Sequence, residues 1–241
     1  MSSTGGTSIK ARPVFIAALP REIASLVSHR GWRADVKQLH RNIHLFEHQD
    51  AIVACAGMGT SRAALALEAA LTLGPASELI SVGWAGACNP SLSVGDVVRA
   101  NIVIDSKTSE RFFTAEPADR DESQIVVTVS TPADQKEKER LRLSYHASAV
   151  EMEAAAVARM ARARELPFYA IKAISDDLSF ELPELANFST ADGQFREAAF
   201  GIHVAMRPRL WGLVLTMAKG SKLAAGKLCA EIQAHITQHQ N

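Results

Sequence analysis

Cysteine is scarce, charge is balanced and long apolar runs are missing. The three cysteines, Cys55, Cys88 and Cys229, lie far apart in apolar segments without CxxC spacing. An odd, scattered set of thiols points to a reduced, cytoplasmic compartment rather than a disulfide framework. Lys plus Arg equals Asp plus Glu at 26 each, so no overall field draws the chain to nucleic acid or an acidic membrane. No stretch approaches the roughly 20 apolar residues of a membrane span. Residues 1–12, rich in Ser, Gly and Thr, lack the apolar core of a secretory signal. The expectation is a disordered tail over 1–12, then a single domain over 13–241 that binds a small molecule.

With 241 residues, 47% of them hydrophobic, the chain can bury one sizeable core. Short apolar runs rich in β-branched residues recur at Val14–Leu19, Ala51–Ala56, Leu79–Gly83, Val97–Ile104, Ile125–Val129 and Phe168–Ile174. Segments of helical period separate them: one starting near Pro20 and containing Glu22, one from Thr60 to Gly74-Pro75, and one over Glu151–Glu165. Arg209–Lys219 and Ser221–Gln238 read as two further amphipathic helices, 105–123 as a charged surface excursion and 183–193 as loop. Such alternation predicts an α/β fold, a three-layer α/β/α sandwich around a mixed, largely parallel sheet.

Four segments carry candidate chemistry. Gly57-Met58-Gly59-Thr60 joins a strand to a helix, where free backbone N–H groups can meet a hydroxyl-rich or anionic ligand. Arg62 stands where a dinucleotide fingerprint needs its third glycine, and a plain tight turn is the alternative. In Ser81-Val82-Gly83-Trp84-Ala85-Gly86-Ala87, small residues after a buried strand would admit a ligand to the backbone. Trp84 is either core or a wall for a flat base.

Glu151-Met152-Glu153 sits in an apolar helical stretch. The period turns Glu153 inward with Val150 and Val157, and two ribose hydroxyls would satisfy it; a carboxylate favoured by the helix dipole is the alternative. Ser175-Asp176-Asp177 closes an apolar strand, and ligands of open α/β sheets lie beyond strand carboxyl ends. A turn or helix cap would explain one Asp equally well. The helical spacing of His40, His44 and His48 is outweighed by a hairpin pattern, so no metal is expected, and His235 and His239 are taken as solvated on a terminal helix.

In this order the four segments resemble the nucleoside phosphorylase and nucleosidase superfamily, especially the methylthioadenosine/S-adenosylhomocysteine nucleosidases. Val150–Ala154 and Ala173–Asp176 are the most specific parts of the match. The resemblance implies that Asp176 protonates N7 of the leaving purine, with Ser175 positioning it. As that acid Asp176 needs burial to raise its pKa. The resemblance implies that Met152 and Glu153 hold the ribose and that Glu22 activates water, with Leu19, Gly57, Gly83, Trp84 and Glu151 also at the substrate. It implies no cofactor, and a homodimer.

Departures from the family pattern bear on the reaction. Ser81 and Trp84 replace the Arg and Ser that bind phosphate in phosphorylases, which favours water, although Arg21 and Arg62 remain available to phosphate. Lys172 stands where nucleosidases carry Arg. The 123–149 stretch is short and lacks an aromatic purine-stacking loop, leaving Ser130-Thr131-Pro132 for the base. Thr131-Pro132-Ala133 and Arg207-Pro208 are similar to the hopanoid-associated phosphorylase branch, which implies phosphorolysis of an adenosyl compound as an alternative. A non-catalytic nucleoside-binding protein is the third.

Overall fold

Strands buried on both faces read as unbroken apolar runs, and the centre of the sheet follows that rule. In the computed structural model, which describes residues 10–35, 42–116, 124–178, 188 and 196–238, β1 (Arg12–Ala17), β4 (Ala51–Cys55), β5 (Ala76–Ala87) and β11 (Phe168–Asp176) run parallel in the order β4-β1-β5-β11. β2 (Arg33–Asp35) and β3 (His44–His48) add an antiparallel edge on β4. β5 is 12 residues long and changes partner along its length. Its end pairs with β10 (Ala149–Glu151), which continues through β9 (Ile125–Thr128) and β7 (Ile102–Asp105) to β8 (Arg111–Phe113). β6 (Val97–Arg99) lies on the free side of β11.

Helices cover both faces, as a three-layer sandwich requires. α2 (Thr60–Leu71) and α4 (Ala154–Arg162) close a core containing Val14, Ile16, Ile52, Leu67 and Val157. α1 (Ala24–Val27) and α6 (Trp211–Gln238) close the other, around Phe15, Ile80, Ile171, Leu228 and Ile232. α3 (Gln135–Tyr145) packs through Leu141 on Val127 and Val150, and α5 (Glu197–Ala205) precedes α6. Among the described residues no helix is long and apolar enough to cross a membrane.

Several boundaries differ from the sequence expectation. Pro20–Glu22 form a 3-10 turn before the short α1. Val97–Ile104 is broken at Ala100-Asn101, because its halves pair with β11 and β9. The two terminal helices are one of 28 residues; within it Gly220 is a point of close packing, where an added Cβ would lie 3.0 Å from Ser175 O and Val94. His235 is fully buried, with Nε2 2.9 Å from Glu78 Oε1 and its ring against Phe15 and Tyr169, so it is not solvated. His44 and His48 lie on β3 as the hairpin pattern requires. His40, His239 and the expected loop at 183–193, apart from Phe188, fall outside the described residues.

Candidate active site

Glu22 reaches the site because Pro20 starts a tight turn directly after β1. Its Oε2 accepts from the N–H groups of Ala18 and Leu19, both at 3.0 Å, and Oε1 accepts from Trp84 N at 3.3 Å. Burial pushes its pKa up, against the Leu19 N–H and the nearby Lys172 charge. The carboxylate rests on Gly83, whose φ is +143° and whose missing Cβ would fall 3.2 Å from Oε2. Gly83 belongs to β5, not to a loop beyond it, and what approaches its backbone is the protein's own carboxylate.

Glu151 and Glu153 part company where β10 turns into α4. Glu151 ends the strand and Glu153 is the residue before the first helical turn, so the face-sharing expected from a helix over 151–165 does not apply. Glu151 accepts from Glu153 N and Ala154 N at 2.9 Å, Thr128 Oγ1 at 2.6 Å and Lys172 Nζ at 2.9 Å. With four protein donors its carboxylate anchors the turn. Lys172 is fully buried and its Nζ also meets Ser81 Oγ at 2.9 Å, so Ser81 lies beneath the site. Glu153 accepts from Gly59 N at 2.7 Å. Burial, reinforced by the Glu151 charge, raises its pKa to about 8. The Gly57–Thr60 turn therefore serves the ribose-binding candidate through Gly59, while Gly57 N bonds to Ala18 O.

Asp176 is set by a bulge. β11 pairs Ile174 with Ala85 and Asp176 with Gly86, leaving Ser175 as the extra residue, a device that re-aims side chains at strand ends. The Ser175 hydroxyl donates to Asp176 Oδ1 at 2.7 Å. The other oxygen, Oδ2, lies 2.6 Å from Lys138 Nζ. The Asp176 side chain is 27% exposed, so the deep burial that the sequence argument required is replaced by an ion pair. A Cβ on Gly86 would sit 2.8 Å from Asp176 Oδ2 and 2.9 Å from Lys138 Cε, so the pair occupies the space that glycine leaves.

One cavity of about 1580 Å³ joins these groups. Leu19, Glu22, Trp84, Glu151, Met152, Glu153, Ser175 and Asp176 line it, as do Ser130, Thr131 and Pro132. Gly57 and Gly83 are not among its lining residues. Arg21 lines it with its guanidinium over the Trp84 ring; Arg62 turns away, to the carbonyls of Ala56 and Asn42. Phe200 and the α6 residues Met217, Ala218, Ser221, Lys222 and Ala225 form a further wall. Neither that wall nor Lys138 was legible in the sequence: Lys138 belongs to a run of charged residues that looks solvated.

A strand-end carboxylate, a second one at a helix start and a third on the opposing turn thus open on one cavity over a mixed sheet. The chain belongs to the phosphorylase superfamily, whose family model matches residues 12–129 and 122–205. Among solved structures it is similar to the methylthioadenosine/S-adenosylhomocysteine nucleosidase of Colwellia psychrerythraea, in complex with adenine, at TM-score 0.67 and 18% identity over 96% of this chain and 97% of that one. The corresponding enzyme of Neisseria meningitidis, in complex with methylthio-immucillin-A, gives TM-score 0.67 and 20% identity over 95% and 100%. Futalosine hydrolase of Helicobacter pylori gives 0.64 and 15% over 93% and 98%. Comparison with curated protein sequences returned no match.

Proposed function

We propose that the chain is a purine nucleosidase that hydrolyses the N-glycosidic bond of a 5′-substituted adenosine, of the methylthioadenosine or S-adenosylhomocysteine type, and releases adenine. The observation that carries the reading is the opening of Glu22, Glu153 and Asp176 on one cavity. Breaking C1′–N9 leaves positive charge on the ribose and negative charge on the purine, so acid is needed at the base and a base at the water. Asp176 serves N7. Glu153, fixed on one side by Gly59, presents its free oxygen to the 2′ and 3′ hydroxyls. Glu22 has Oε2 occupied by two N–H groups, but Oε1 accepts only Trp84 N and keeps a lone pair to orient water. Neighbours named for methylthioadenosine nucleosidases support this substrate class. A cytoplasmic homodimer is the accompanying expectation.

The test is adenine release from methylthioadenosine with and without phosphate. Free methylthioribose without phosphate is the expected product; dependence on phosphate, with a ribose 1-phosphate product, would overturn hydrolysis. The cavity favours one second reading. Its volume exceeds the roughly 300–1,000 Å³ of common ligand pockets, and Phe200, Met217 and Ala218 extend an apolar wall, which suits an adenosyl compound with a bulky 5′ substituent, such as a hopanoid precursor; phosphorolysis of that compound is the alternative reaction. Binding of such nucleosides without turnover would mark a non-catalytic binding protein.

A further inference from the structure

α3 is polar and exposed on most of its surface, yet Lys138 in its first turns is 1% exposed. A lysine leaves water at high cost unless it is paired. Its ammonium meets Asp176 Oδ2 at 2.6 Å and the Asp177 carbonyl at 2.7 Å, and its stem lies on Gly86. Asp176 Oδ1 meanwhile accepts the Ser175 hydroxyl. Both carboxylate oxygens therefore already accept a hydrogen from a protein donor. The hydroxyl is the weaker acid of the two donors, which leaves the ammonium as the mobile proton nearest the leaving base.

We infer that Lys138 supplies the proton that Asp176 delivers to N7, an inference that rests on the nucleosidase reading. As C1′–N9 breaks, its electron pair stays on the purine. Asp176 passes one proton to N7 and takes one from Lys138 Nζ. The ammonium becomes an amine, water adds to C1′ and gives its own proton to Glu22, and solvent restores both groups after adenine leaves. Lys138 lines the same cavity and acts through Asp176; it is a positioning residue with a proton to lend. The segment that lacks an aromatic base-stacking loop thus contributes acid strength to base departure.

Lys138→Arg and Lys138→Met separate proton supply from packing or simple charge. A guanidinium keeps the charge and the hydrogen bonds but holds its proton. The expected result is a loss of about 10²–10³ in kcat for adenine release in both variants, the range of general-acid assistance, with KM changed less than about threefold. The residual activity of both should rise as pH falls, because solvent acid then protonates the base. Arg restoring the wild-type rate and pH profile would overturn the proton role in favour of charge alone; Met leaving both unchanged would overturn any role. If the Met variant fails to fold, the Arg variant decides. No adenine release by the wild type from any adenosyl compound would instead remove the nucleosidase reading, a different outcome from wild-type turnover that ignores position 138.

Discussion

Glu22 and Asp176 are both carboxylates seated on a glycine of β5, three residues apart, but they are held by different means. Glu22 is fixed by the backbone N–H groups of Ala18, Leu19 and Trp84, and Glu153 beside it by Gly59. Asp176 is fixed by the side chains of Ser175 and Lys138. Backbone donors move only with the sheet, whereas side-chain donors move with a rotamer. At the water and ribose end, fold and chemistry are one arrangement; at the base end they are separable, and a helix of unrelated sequence supplies half of the pair.

The contrast predicts responses to isosteric change that differ in size and cause. Asp176→Asn is expected to lower kcat for adenine release by about 10³ and, because it leaves the buried Lys138 ammonium without its counter-charge, to cost about 3–5 kcal/mol. Glu22→Gln is expected to lower kcat by about 10²–10³ and also to cost about 1–3 kcal/mol, because its amide must turn a donor toward a buried N–H. Equal stability of the two variants would remove the distinction between the ends.

The glycines beneath the two carboxylates sharpen it. Gly83→Ala forces a side chain onto φ +143° and to 3.2 Å from Glu22 Oε2; a loss of about 1–3 kcal/mol in unfolding free energy is expected, with activity falling alongside. Gly86→Ala meets only the movable ends of Asp176 and Lys138. Adenine release should fall by about 10–100-fold there, with a change below about 1 kcal/mol, as for other pairs displaced rather than destroyed.

The smallest effect concerns pH. Burial and the Glu151 charge raise Glu153 from 4.5 to about 8, so the folded protein keeps a proton that the unfolded chain releases. The stability linked to this group is complete below the unfolded value and is lost as pH rises toward about 8. Urea midpoints measured at pH 5 and pH 8 should converge in Glu153→Gln. An unchanged pH slope would show that the proton is carried elsewhere.

Much of the frame was legible because burial on both faces writes unbroken apolar runs, so β4, β9 and β11 fall where the runs at 51, 125 and 168 begin. The His44–His48 hairpin was legible from its turn. What failed were inferences that needed a neighbour distant in sequence. The period of 151–165 suggested a helix through both glutamates, but β9 captures Glu151 as a strand and Thr128 and Lys172 take its carboxylate. Arg209–Lys219 and Ser221–Gln238 looked separate at Gly220, which is instead a point of close packing against Val94 and Ser175.

The sequence by itself determined the alternation of strand and helix and the placing of Asp176 at a strand end, since hydrophobic period and residue type are local properties. Only the tertiary structure decided what each carboxylate faces. Asp176 lies next to Lys138 because a bulge at Ser175 and a bare glycine at position 86 open one space for both, and nothing in a polar helix 38 residues upstream announces that meeting.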